Sequence, residues 1–144
     1  MKDAFILGEM VARRGHVLLT GGGTGVMRAA SEGAHLAGGL VIAVLPNDRQ
    51  RALPGYPNEF VDIPVYTGMY EARNVINAKT PHVIIALGGG PGTLSEMAFA
   101  FKAGTPVIGL GAPWFELNEE AVFIPVSTVE EAAREMDRIT GESS

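Results

Sequence analysis

The sequence predicts an α/β fold in which a mostly parallel sheet carries helices on both faces. Short apolar runs such as "HVLLT", "LVIAVLP" and "TPVIGLG" alternate with stretches whose apolar residues recur every three or four positions. The runs are apolar without a polar alternation, as strands covered on both faces are. Glycine supplies 19 of the 144 residues and clusters at the ends of these runs, the placement of tight strand-to-helix turns.

Taken in order, residues 3–14 gather Phe5, Ile6, Met10 and Val11 before Gly15, which predicts an amphipathic helix. Residues 16–20 read as a short buried strand. Over 26–37 the spacing of Val26, Met27, Ala30, Ala34 and Ala37 predicts a helix with a small-residue face, ended by Gly38 and Gly39. Residues 40–46 form a nearly all-apolar strand. The stretch 47–59, "NDRQRALPGYPNE", is rich in proline, glycine and charge and is the longest loop, the kind of segment that covers ligands. "FVDIPVY" is strand-like but weakened by Pro64. Residues 68–78 read as a helix, "HVIIALGGG" as a strand, 94–103 as a helix, and "TPVIGLG" and "AVFIPV" as two further strands. The closing helix spans 128–140, with Ser127 and Glu130 as an S-x-x-E capping box. No linker divides the chain, so one domain over residues 1–144 is expected, with a doubly wound, Rossmann-like architecture. In such sheets ligands bind at the carboxyl ends of the strands, where both glycine clusters fall.

Composition narrows the function classes. The formal net charge is −5 and no lysine or arginine cluster compensates it, so a nucleic-acid partner is not expected. Without cysteine there are no disulfides and no thiolate-held zinc or iron–sulfur clusters, and His16, His35 and His82 lack ligand spacing, so no side-chain metal site is expected. No apolar stretch reaches the length of a membrane span, and Lys2, Asp3 and Glu9 are wrong for a signal peptide. The expectation is a soluble, cytoplasmic protein without a membrane partner.

"TGGGTGVM" runs from a strand end through Gly21, Gly22, Gly23, Thr24 and Gly25 into a helix, so unpartnered N–H groups stand at the positive end of a helix dipole and predict an anion site. Neither glycine cluster has the lysine of a P-loop, and the dinucleotide pattern with its acidic residue is missing. "GGGPGTLSE" repeats the arrangement with Gly89, Gly90, Gly92 and Thr93. Here Thr93 and Glu96 admit two readings: a T-x-x-E capping box, or a hydroxyl on a phosphate and a carboxylate facing the ligand. The following helix, "LSEMAFAFKAG", is apolar on nearly all sides, which predicts self-association into a homodimer or larger homo-oligomer. Trp114 and Phe115 either pack locally or stack on a base or pterin. Asp62 and Glu71 read as exposed charge.

"GGGPGTLSE" resembles the P-G-G-x-G-T-x-x-E signature of the LOG (Lonely Guy) phosphoribohydrolases, also known as lysine-decarboxylase-like proteins. Arg73 in "MYEARN" stands sixteen residues before Gly89, the separation of that family's catalytic arginine from its signature. The blocks "LLTGGGTGVMRAASEGAHLAGG", "VDIPVYTGMYEARNVINA" and "GPGTLSEMAFAFKAGTPVIGLG" are similar to the molybdenum-cofactor carrier branch. The resemblance implies a small phosphorylated ligand, a nucleotide or the molybdenum cofactor, with no covalently held cofactor. Under its LOG side, Arg73 and Glu96 are catalytic residues cleaving the N-glycosidic bond of a nucleoside 5′-monophosphate, and Gly89, Gly90, Gly92 and Thr93 cradle the phosphate. Under its carrier side, the two glycine loops hold the ligand without turnover. Gly88 replaces the signature proline, and Asn74 stands where LOG enzymes have lysine. The resemblance implies a strand and a glycine–serine loop ahead of the first helix; this sequence begins inside that helix, so either residues 16–20 pair directly with residues 82–87, or the chain is truncated, or another segment substitutes.

Overall fold

The computed structural model describes residues 1–88, 91–111 and 122–141. Contacts divide the chain into two compact units, Met1–Arg73 and Asn74–Ser144.

The first unit opens with helix α1 (Lys2–Arg13), which buries Ala4, Leu7, Gly8 and Val11. Strand β1 (Leu18–Thr20), helix α2 (Val26–Leu36), strand β2 (Val41–Leu45) and strand β3 (Ile63–Tyr66) follow. The two helices pack backbone to backbone. A Cβ on Gly8 would collide with the Ala30 carbonyl, and one on Gly33 with the Phe5 carbonyl, so only hydrogen at these positions permits the crossing. The strands form a parallel sheet in the order β1-β2-β3, with Leu18 opposite Val41 and Leu45 opposite Tyr66. Buried Val41, Ala43, Val44 and Leu45 make β2 the centre of the sheet. Pro64 is accommodated because β3 is an edge strand. Asp62 is structural: its Oδ2 accepts from Val41 N at 2.8 Å and its own N–H donates to Val41 O at 3.0 Å, pinning the amino end of β2.

The predicted 68–78 helix is found over residues 70–79, as a 3-10 turn, Tyr70–Arg73, followed by helix α3, Asn74–Lys79. Only its start is shifted, and the reason is partly non-local. Tyr70 N donates to Pro46 O at 2.8 Å and Met69 N to Thr67 Oγ1 at 3.1 Å, so the start of the segment is bonded to the end of β2 and to a turn rather than into a helix.

The second unit contains α3, strand β4 (Ile84–Leu87), helix α4 (Pro91–Ala103), strand β5 (Val107–Leu110), strand β6 (Phe123–Val126) and helix α5 (Val129–Thr140). Its parallel sheet has the order β4-β5-β6, and β5 is buried at every position. Ala78, Ala86, Met97, Ala100 and Val107 form the core, with Ile84, Phe99, Phe101 and Phe123 packed on it and the Phe101 and Phe123 rings edge to face at 6.1 Å. Much of the apolar surface of α4 is thus buried within its own unit, while Leu94 and Ala98 are exposed. Helix α5 is capped by Thr128, whose Oγ1 accepts from Glu131 N at 3.1 Å, while Glu131 Oε2 accepts from Ser127 N. The capping pair is therefore Thr128 and Glu131, one residue later than Ser127 and Glu130.

Among the described residues β1 and β4 each end their sheet. No helix among them is long and apolar enough to cross a membrane.

Candidate functional site

The first glycine loop leaves the carboxyl end of β1 and is built by close contacts that only glycine allows. Gly22 has φ +79°, and a Cβ there would run into the side chains of Leu45 and Ala43 of β2. Its N–H turns back onto Thr20 Oγ1 at 2.9 Å. Gly25, with φ +68°, is the N-cap of α2 and offers no side-chain cap, and the first turn of α2 has no acidic residue. The positive end of the helix dipole is left without a compensating group of its own.

Three residues distant in sequence complete this site. Asn58, 6% exposed, donates from its backbone N–H to Gly22 O at 2.8 Å and from Nδ2 to Gly23 O at 2.9 Å, while its Oδ1 accepts from Phe60 N at 3.0 Å. The Tyr56 ring lies 2.7 Å from where a Gly23 Cβ would stand. The Arg73 guanidinium lies 3.2 Å from the corresponding point on Gly21 and 5.8 Å from the Tyr56 ring centroid, a cation–π distance. The 53–60 segment thus straps the loop. Its outer end is fastened to α2 by the Arg28–Glu59 ion pair and by Arg28 lying 5.0 Å over the Phe60 ring. Gly21, Gly22, Gly23 and Arg73 come together as a constellation. Tyr56 and Asn58 join it, although the sequence marked them only as part of a covering loop; Thr24 is exposed and Gly25 half-buried at its rim.

The second loop follows β4. Gly88 has φ +74°, and its N–H donates to Leu110 O at 3.3 Å. Gly89 and Gly90 lie outside the described residues, as do Trp114 and Phe115. Helix α4 starts at Pro91, a residue suited to the first helical position because it has no N–H to leave unpaired. Gly92 and Thr93 therefore stand inside the first turn, and Thr93 is not an N-cap. That removes the capping-box reading of Thr93 and Glu96, which instead sit three residues apart on one helix face, both half-buried. Asn74 is buried on α3 and its Nδ2 stands 3.5 Å from Ser95 Oγ of α4. Asn77, one turn later, is buried with neither amide atom hydrogen-bonded among the described residues. Among the described residues no three metal-ligating side chains converge.

The chain is similar to several known proteins. The fold matches the molybdenum cofactor binding protein of the phototrophic bacterium Rippkaea orientalis with TM-score 0.86 and 39% identity, over 96% of this chain and 86% of that one. It matches the molybdenum cofactor carrier protein of Chlamydomonas reinhardtii with TM-score 0.82 and 37% identity, over 96% and 85%. In sequence it is 37% identical over 99 residues to the cytokinin riboside 5′-monophosphate phosphoribohydrolase LOG of Oryza sativa subsp. japonica, a match spanning 67% of this chain and 40% of the rice protein. The SLOG cluster4 family model matches residues 1–138, and the chain belongs to that LOG-like family.

Proposed function

We propose that this protein binds a small phosphorylated nucleotide or pterin-type ligand, in the manner of a molybdenum-cofactor carrier, and does so without turning it over. The observation that carries this reading is the Arg73 guanidinium lying against Gly21 beside the uncapped start of α2. A fixed cation, backbone N–H groups and a helix N-terminus worth about +0.5 charge all favour the same thing, an oxyanion brought close where no side chain intervenes. In this reading Gly21, Gly22, Gly23, Thr24 and Gly25 hold the phosphate with Arg73, and Gly89, Gly90, Gly92 and Thr93 form a second cradle. The molybdenum cofactor suits such a site because its phosphate is what backbone amides and a guanidinium recognise, and its metal arrives with the ligand. The likeness to the Rippkaea and Chlamydomonas proteins supports the pterin class. We further propose a cytoplasmic homo-oligomer using the exposed Leu94 and Ala98 side of α4. Light scattering at micromolar concentration should give at least a dimer, and a monomer contradicts the oligomer.

A second reading, hydrolysis of the N-glycosidic bond of a nucleoside 5′-monophosphate, is favoured by Thr93 and Glu96 lying within α4, three residues apart on one helix face. Here Arg73 would engage the phosphate and the Glu96 carboxylate would stabilise the cationic ribosyl centre or orient the attacking water. The similarity to the rice phosphoribohydrolase supports it. Incubation with AMP and its N6-substituted relatives separates the two. Free base released by the wild type but not by Glu96→Gln establishes the hydrolase, whereas binding with no release above background supports the carrier.

A further inference from the structure

The first glycine loop is ordered by a residue that no sequence motif marks. Asn58 holds two consecutive carbonyls, Gly22 O through its backbone N–H and Gly23 O through its Nδ2. In a trans peptide the carbonyl and the N–H of the same plane point in opposite directions. Fixing the Gly22 and Gly23 carbonyls toward Asn58 therefore turns the N–H groups of Gly23 and Thr24 away from it, side by side. Neither N–H donates a hydrogen bond within the described residues. Two successive amides aimed one way make a concave pair of donors, the arrangement that receives one oxyanion.

We infer that Asn58 is a positioning residue for ligand phosphate: it never touches the anion, and it presets the Gly23 and Thr24 amides that do. The inference rests on the phosphate-binding reading above. Burial supports the role, because Asn58 is 6% exposed with its N–H, Nδ2 and Oδ1 all engaged, so it is a fixed strut rather than a surface amide. Its reach supports it too, since the Nδ2 bond joins residues 35 apart and ties the covering segment to the loop it covers. Tyr56, on the same segment, places its ring beneath the Arg73 guanidinium and against Gly23, so one strap sets both the amides and the cation.

The test is a titration of the 15N-labelled full chain with inorganic phosphate, read at individual amides, for the wild type and Asn58→Ala. Alanine keeps the backbone bond to Gly22 O and loses the side-chain bonds to Gly23 O and from Phe60 N, so within the glycine loop only the Gly23–Thr24 peptide is freed. In the wild type, phosphate should move both the Gly23 and Thr24 amide protons downfield and saturably. In Asn58→Ala the Thr24 shift should collapse, the Gly23 shift should persist, and the affinity should fall about tenfold, the loss of roughly one charge-assisted hydrogen bond. General loss of structure would not separate two adjacent amides. An unchanged Thr24 shift with unchanged affinity overturns the positioning role and leaves phosphate binding standing; no shift at either amide in the wild type overturns the binding reading itself. Should Asn58→Ala fail to fold, N–H residual dipolar couplings of the wild type decide: near-parallel Gly23 and Thr24 vectors support the inference and divergent ones overturn it.

Discussion

The two glycine loops are alike in composition and differ in what surrounds them. The 21–25 loop is braced from three sides, by Thr20 behind it, by Leu45 and Ala43 of the neighbouring strand, and by Tyr56, Asn58 and Arg73 above it. Gly88, which opens the other loop, has an equally positive φ, yet no described atom lies within 4 Å of where its Cβ would be. In the first case glycine is required by packing and backbone together. In the second, among the described residues, it is required by backbone alone. A run of glycines therefore reports a turn, and only the neighbours reveal whether the turn is shaped for something.

Alanine substitutions make this difference measurable. Gly22→Ala should be the most damaging, because the left-handed φ and the collision with Leu45 and Ala43 add to about 3 kcal/mol of lost stability, read as a drop in denaturation midpoint. Gly88→Ala meets only the backbone penalty, about 1 kcal/mol. Equal losses at the two positions would erase the distinction between the loops.

The helices that follow extend the comparison. Thr128→Ala removes a true N-cap and should cost about 1 kcal/mol. Thr93→Ala should leave stability within about 0.5 kcal/mol of the wild type, since Thr93 lies inside α4 and alanine is the better helix former. If Thr93→Ala costs as much as Thr128→Ala, Thr93 is a cap after all and the case for a functional Thr93 and Glu96 weakens.

These positions also explain how much could be read from the sequence. The strands were legible because buried parallel strands are continuous apolar runs, and the six among the described residues lie within the expected segments. The caps were legible only to within a residue. "STVEE" satisfies the capping pattern twice, as Ser127 with Glu130 and as Thr128 with Glu131, and pattern alone cannot choose between them. That the 68–78 segment is helical was legible; that its first turn is 3-10 and starts two residues later, where Tyr70 N donates to Pro46 O, 24 residues away, was not. The glycine loop and Arg73 were visible as motifs. Tyr56 and Asn58 were not, because their meaning lies in contacts across more than 30 residues, and the only local signal was a long loop rich in proline and glycine.

The central claim is that the first glycine loop, with Arg73, holds a phosphorylated ligand. Native mass spectrometry of the purified chain tests it most directly, as isolated and after addition of excess AMP, for the wild type and Arg73→Ala. The account predicts a wild-type mass raised by a phosphorylated ligand under at least one of these conditions, and a bare chain for Arg73→Ala under both. A wild type at its bare mass throughout, or equal occupancy in Arg73→Ala, would contradict it.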